Sequence, residues 1–320
     1  MSGSAPCAQW QRATGRAFLP ELVCLGVIAA SGGRIVPCAP DNIMTERTKT
    51  WYAAAMPRLR RFPSRHSCCL TLLALCLWGP ALARADAGPP YLTNDPGTPG
   101  NGNWEINLAA MPSIGRGIAS YQLPQIDLNF GLGERVQLTY EIPYVLKTQD
   151  GAPTTSGWSN AYPGVKWRFF DQGEGGWQLS TFPQYETAGS LPAQRSGLAG
   201  PGGRWLLPVE IARSVGPLNL NFEAGYYLQG VPERIVGLVA GTAFTPRLEL
   251  DAELYNDHVL GSSPEVTTLD VGGRFKLSPA LILLFMAGRS LGGNGAGQVQ
   301  FMGYFGVQIL LSNYGRTLAQ

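Results

Sequence analysis

The chain has 320 residues, 41 glycines, a formal net charge of +2 and a mean hydropathy of −0.01, an averaged profile that would suit an ordinary protein of one or two domains. The average hides a split: residues 1–85 carry 10 Lys and Arg against 3 Asp and Glu, while residues 86–320 carry 14 against 19. All six cysteines lie at or before Cys76, so the acidic, cysteine-free remainder excludes a disulfide-stapled fold, thiolate metal sites and the basic face that nucleic acid requires.

Residues 1–55 show no sustained period, and we expect a mis-assigned or disordered extension there, with translation starting at Met56. From Met56 the sequence reads as a secretory signal peptide over residues 56–85. Arg58, Arg60, Arg61 and Arg65 form a positive region, Cys68 to Trp78 is largely apolar, and Ala81, Ala83 and Ala85 supply small-residue cleavage sites. The apolar run is well short of the ~20 residues that a spanning helix needs. Residues 86–102 are expected to be a periplasmic N-terminal segment.

From Asn103 the apolar residues recur with period two, the mark of strands exposed to different media on their two faces. Trp104, Ile106, Leu108 and Ala110 alternate with Glu105 and Asn107; Ile126, Leu128 and Phe130 with Asp127 and Asn129; Val136, Leu138, Tyr140 and Ile142 with Gln137, Thr139 and Glu141. The pattern continues through Val165–Phe169, Trp177–Thr181, Trp205–Ile211, Leu218–Ala224, Leu248–Leu254 and Leu269–Phe275. Ile235–Phe244, Ala280–Leu291 and Val299–Leu311 alternate less cleanly. About twelve strands are predicted over residues 103–311, followed by a tail at 312–320.

The predicted connections alternate in length. Short turns at Gly131–Glu134, Asp171–Gly176, Val215–Pro217, Thr245–Pro246 and Ser278–Pro279 face longer loops, among them Pro112–Ser120, Lys147–Tyr162 and Thr187–Gly203. Export, alternation, Trp and Tyr at strand ends, and loops of two length classes predict an all-β, antiparallel, up-and-down transmembrane β-barrel in the cell outer membrane. An even strand number puts both ends of the barrel on the short-turn side. Outer-membrane lipid and the barrel assembly machinery are the expected partners, with a small-molecule solute inside.

The residues of Pro89–Ala110, PPYLTNDPGTPGNGNWEINLAA, carry a resemblance. Tyr91, the turn Thr93-Asn94-Asp95-Pro96, and Gly102 with Glu105 and Asn107 resemble the opening of the outer-membrane family named for the meta-pathway of phenol degradation. Pro163–Phe170, PGVKWRFF, resembles a strand of the same family. The resemblance implies a channel or transporter for small aromatic or other hydrophobic molecules, and it implies no catalytic residues. The C-terminus departs from the pattern, because the chain runs on past Tyr304 and Phe305 instead of ending on an aromatic residue.

The lumen is the expected working surface. Its candidate side chains are Glu105, Asp127, Glu141, Lys166, Arg168, Glu223, Glu249, Asp251, Glu253, Asp270 and Arg274. Glu141 is expected near Lys166 or Arg168, either as a cross-strand ion pair or within a ring that selects permeant ions. Arg274 and Lys276 could neutralise the Glu249–Glu253 stripe. Phe182, Leu206 and Tyr227 interrupt the polar face, as lumen packing or as an apolar path. The alternatives to a channel are a barrel enzyme acting on lipid and a structural or adhesive barrel. The enzyme reading rests on His258, followed by Ser262 and Ser263. No cofactor or metal is expected, since no His or Cys cluster occurs and Gly200–Gly203 and Gly292–Gly297 lack the Lys and Ser or Thr of a phosphate loop.

Overall fold

Fourteen strand segments alternate faces along nearly all of the chain described by the computed structural model, which covers residues 88–261, 265–291 and 298–312. The expected extension at 1–55 and the signal peptide at 56–85 lie outside the described residues, as does all but Ser312 of the C-terminal tail.

The strands are β1 (Trp104–Gly115), β2 (Ile118–Leu132), β3 (Val136–Gln149), β4 (Ala152–Trp158), β5 (Tyr162–Asp171), β6 (Gln178–Thr181), β7 (Gln184–Glu186), β8 (Arg204–Val215), β9 (Leu218–Leu228), β10 (Glu233–Ala243), β11 (Leu248–Val259), β12 (Val266–Ser278), β13 (Leu281–Leu291) and β14 (Val299–Leu311). All pairings are antiparallel between neighbours, and β1 pairs with β14. β4 and β5 lie end to end along β3, and β6 and β7 lie end to end along β8. The fourteen segments therefore make twelve staves of one closed antiparallel barrel. Closure leaves no sheet edge, which is the condition for a sheet to stand in hydrocarbon.

The outer face is apolar and carries aromatic side chains at two heights. Near the short turns Trp104 packs on Phe130, with ring centroids 4.9 Å apart, and Trp167, Phe170 and Trp177 are exposed beside them. Near the longer connections Tyr144 meets Trp158 at 5.3 Å and Tyr185 meets Trp205 at 5.0 Å. Two such girdles bracket a lipid-facing band.

The structure corrects the predicted loops. Pro112–Ser120 is no loop: β1 runs to Gly115 and β2 restarts at Ile118, leaving a turn at Arg116 and Gly117. Gly117 has φ +69°, a conformation that glycine adopts freely and that tight hairpin turns need. Lys147–Tyr162 is mostly strand as well, since β3 continues to Gln149 and returns as β4. Both stretches escaped notice for one reason: strand that rises beyond the bilayer is wet on both faces and loses its apolar alternation. The third long loop, Thr187–Gly203, is real. It carries a short helix α1 (Leu191–Arg195), capped by Ser190, and folds against the inner wall. There Ala193, Leu198 and Ala199 pack on Val145, and Lys147 Nζ donates to the Gly197 carbonyl at 3.3 Å.

The inner face holds a second packed region. Leu206, Tyr227, Ile235, Val239, Tyr255, Leu284, Met286, Met302 and Tyr304 form a buried apolar cluster with Ala109 and Met111. Tyr91 and Leu92 belong to this cluster although they precede the first strand.

Candidate functional site

The residues before β1 enter the barrel. Residues 86–102 were expected in the periplasm; their described part begins inside the lumen and leaves it only at about Thr98. The physical reason is on the wall. A buried carboxylate needs donors, and the N-terminal segment brings backbone N–H groups to two of them. Glu253 on β11 accepts from the N–H of Thr93 at 2.6 Å and of Leu92 at 3.1 Å. Glu223 on β9 accepts from the N–H of Asn94 at 2.8 Å and from its side-chain amide at 3.3 Å. Both glutamates stand midway along their strands and are fully buried.

Cations complete the clamp. Arg274 on β12 donates to the Pro89 carbonyl at 2.9 Å, and Lys166 on β5 donates to the Asp95 carbonyl. The Tyr91 hydroxyl donates to the backbone carbonyl of Asp251 at 3.2 Å. Burial, and then the neighbouring Asp251, push the Tyr91 phenol far above its ordinary value, so it remains a donor. Asp95 accepts from the N–H of Gly97, a local turn that directs the chain outward. Thr98 then reaches the Glu134 carbonyl at 2.9 Å and Gly102 the Gly131 carbonyl at 2.9 Å, on the short-turn rim.

The wall is shaped to take this plug. Gly237 on β10 faces it, and a Cβ there would lie 2.0 Å from Thr93 Oγ1. Asp251 is in register with Gly241, where any Cβ would overlap its carboxylate.

The candidate lumen residues are thus distributed among several tasks. Glu223, Glu253, Lys166 and Arg274 hold the plug. Arg274 also pairs with Glu249 at 3.2 Å, as the expected neutralisation of the acidic stripe requires. Lys276 lines the same cavity as Glu249 without the close ion pair that Arg274 makes. Asp270 is in register with Glu253 and accepts from Thr268 at 3.3 Å. The expected pairing of Glu141 with Lys166 or Arg168 is not formed. Lys166 instead pairs with Glu210 on β8 at 3.7 Å, and Ser180 on the intervening β6 donates to the same Glu210 carboxylate. Arg168 lies at the short-turn rim, bonded to the Glu134 carbonyl at 2.7 Å and paired with Asp171 at 3.3 Å. Glu105, Asp127 and Glu141 stand together on β1, β2 and β3, bound to Asn107, Asn129 and Gln125.

Some of the machinery was missed. Arg204 at the opposite rim bridges Glu186 at 2.7 Å and Glu233 at 2.8 Å, with its guanidinium 4.3 Å from the centre of the Tyr227 ring. Arg204 and Glu210 alternate with the apolar residues of β8, but their partners come from strands whose register is not legible in the sequence. Phe182, Leu206 and Tyr227 do face inward. Leu206 and Tyr227 are packed in the apolar cluster, and Phe182 lies under Lys166 at 4.9 Å. His258 sits at the far end of β11, 3.8 Å from Glu265, which also binds Arg234 at 2.8 Å. Its proposed partners Ser262 and Ser263, and residues 292–297, lie outside the described residues.

Beside the plug a cavity of about 310 Å³ remains. It is bounded by the plug residues Tyr91, Asn94 and Asp95 on one side, and by the inner wall of β1, β2, β3, β5, β7, β11, β12, β13 and β14 on the other. Glu105, Lys276 and Leu310 line it near the short turns, and Met111, Phe182 and Gln184 line it above mid-height.

No family model and no curated protein matches the chain. Among solved structures it is similar to the COG4313 outer membrane channel from Pseudomonas putida F1, with TM-score 0.53 and 14% identity over 71% of this chain and 100% of that one. This is the outer-membrane barrel fold. Weaker likenesses are to the KdgM porin, TM-score 0.44 and 9% identity over 64% of this chain and 98% of that one, and to the CymD monoaromatic hydrocarbon channel, TM-score 0.35 and 8% identity over 66% and 87%. A closed barrel with a lipid-facing band and two aromatic girdles belongs in the outer membrane, as expected from the sequence.

Proposed function

We propose that this barrel is a passive outer-membrane channel for small molecules, narrowed by its own N-terminal segment. The observation that carries the reading is the cavity of about 310 Å³ between the plug and the wall, lined by both polar and apolar side chains. Twelve staves enclose more than the side chains of the wall can fill, where eight would leave little room and sixteen a wide pore. The plug is held chiefly by hydrogen bonds from backbone to side chain, so it can shift without breaking the barrel. Lipid on the outside and the assembly machinery during insertion are the partners of such a protein.

The finer reading, from the resemblance of the plug sequence itself to the phenol meta-pathway family, is that aromatic or other hydrophobic molecules are among the solutes. Met111, Phe182, Ile282 and Tyr304 give the cavity an apolar side that suits them.

Planar-bilayer recording tests both parts, using the protein purified from outer membranes and a variant lacking residues 88–98. The expected result is a small conductance that rises several-fold in the deletion variant, and block or flux with added phenol or benzyl alcohol. A barrel that stays sealed in both forms would sink the channel reading. Conduction indifferent to every aromatic solute would remove the finer one.

A further inference from the structure

The plug uses Glu223, Glu253, Lys166 and Arg274, and a separate acidic row lines the cavity wall. Asn107, Asp127 and Glu141 stand side by side in register on β1, β2 and β3, with Glu105 beside Asn129 one step nearer the short turns. The amide nitrogens of this wall all turn inward upon it. Asn107 and Asn129 both donate to Asp127 Oδ2 at 3.0 Å, Gln125 donates to Glu141 at 2.7 Å, and Gln137 donates to Asn129 at 2.7 Å.

That arrangement leaves acceptors over. Asp127 and Gln125 line the cavity and are 9% and 5% exposed, and Asp127 Oδ1 and Gln125 Oε1 have no hydrogen-bond partner within the described residues. Buried polar atoms are almost always paired, so unpaired ones call for a donor from outside the chain. Neither Glu105 nor Asp127 joins any ion pair among the described residues. A donor that also carries positive charge would satisfy both the open acceptors and the unpaired acidic groups.

The surroundings narrow its chemistry. Among the described residues no three His, Cys, Asp or Glu side chains converge to hold a metal ion. Met111, Ile282 and Tyr304 present apolar surface to the same cavity. Lys276 is set apart from the acidic row by Ile282 and Gln308, which stand between it and Asn107 in register. We propose that the row formed by Gln125, Asp127 and Glu141 binds the ammonium group of a small amphiphilic amine, with its apolar body against Met111, Ile282 and Tyr304. A primary ammonium has three N–H donors for these three side chains. A carboxylate solute would meet like charge.

The proposal deepens the channel reading by giving its solute a charge, and calorimetry separates the two. Benzylammonium chloride is titrated into the detergent-solubilised barrel, with benzyl alcohol and sodium benzoate as controls. Saturable binding is expected for benzylammonium, with both controls weaker by about tenfold or more, as for a charge-assisted hydrogen bond that is lost. Asp127→Asn and Glu141→Gln should each weaken the amine by about tenfold, while Glu265→Gln on the far rim leaves it unchanged. If one of the two cavity variants does not fold, the other decides. Equal binding of all three probes, indifference to the cavity variants, or displacement by equimolar sodium chloride would overturn the proposal. Binding without bilayer conductance would fell the channel reading and leave the amine site standing; conductance without binding would do the reverse.

Discussion

Glu253 and Glu223 show what single side chains do here. Each is fully buried, and each is served by backbone N–H groups from Leu92, Thr93 and Asn94. Hydrogen bonds to a charged group are the stronger kind, about 1.5–3 kcal/mol apiece. Glu253→Ala removes two of them and should loosen the plug by about 2–5 kcal/mol. Amide hydrogen exchange at Leu92 and Thr93 is then expected to quicken by about 30-fold or more. Unchanged exchange would mean that the apolar seat of Tyr91 and Leu92 holds the segment by itself. Gly237 makes the complementary case by absence: a methyl group there would lie 2.0 Å from Thr93 Oγ1. Gly237→Ala should destabilise the seated plug by about 1–3 kcal/mol, as overpacking does. Thr93→Gly should restore the bilayer conductance of Gly237→Ala to the parental level, and failure to do so would place the clash elsewhere.

At the scale of elements, the N-terminal segment and the loop carrying α1 occupy the lumen from opposite ends. The loop packs its Ala193, Leu198 and Ala199 on Val145, a far smaller seat than that of the plug. Shortening the loop by removing residues 189–200 should raise conductance less than deletion of residues 88–98. The opposite order in single-channel recordings would make the loop the principal constriction. Asn160 sets a condition on that experiment, because it bonds the Thr187 carbonyl at 2.6 Å and the Gly200 N–H at 2.6 Å, tying the base of the loop to the gap between β4 and β5. The strands themselves should survive the deletion, since none of the ladder pairings of β7 or β8 involves loop residues.

For the whole molecule, lipid outside and polar contacts inside impose opposite rules on the two faces of each strand. Leu254 stands at mid-height on the outer face of β11, between Leu238 and Leu269. Leu254→Arg should cost about 2–4 kcal/mol of folding stability in liposomes. Gln308→Arg on the inner face should cost much less. Denaturant titration of both variants checks the orientation, and equal losses would contradict a lipid-facing outer wall.

The alternation of apolar and polar residues determined the strands, their number and the inward face of nearly every candidate residue, because each strand separates two media and the period of two records it. Asp127, Glu223 and Glu253 were marked as lumen residues for that reason alone. Where the chain leaves the bilayer the record stops, and the upper parts of β1, β2, β3 and β4 read as loops. The motif Thr93-Asn94-Asp95-Pro96 was visible too, but only as a motif. Its place inside the barrel depends on backbone N–H groups meeting Glu223 and Glu253, residues about 130 to 160 positions away, and backbone donors leave no mark in residue type. Pairings such as Lys166 with Glu210, which crosses β6, were likewise decided by closure and register. The sequence determined which faces are wet and which meet lipid; only the tertiary structure decided what fills the wet interior.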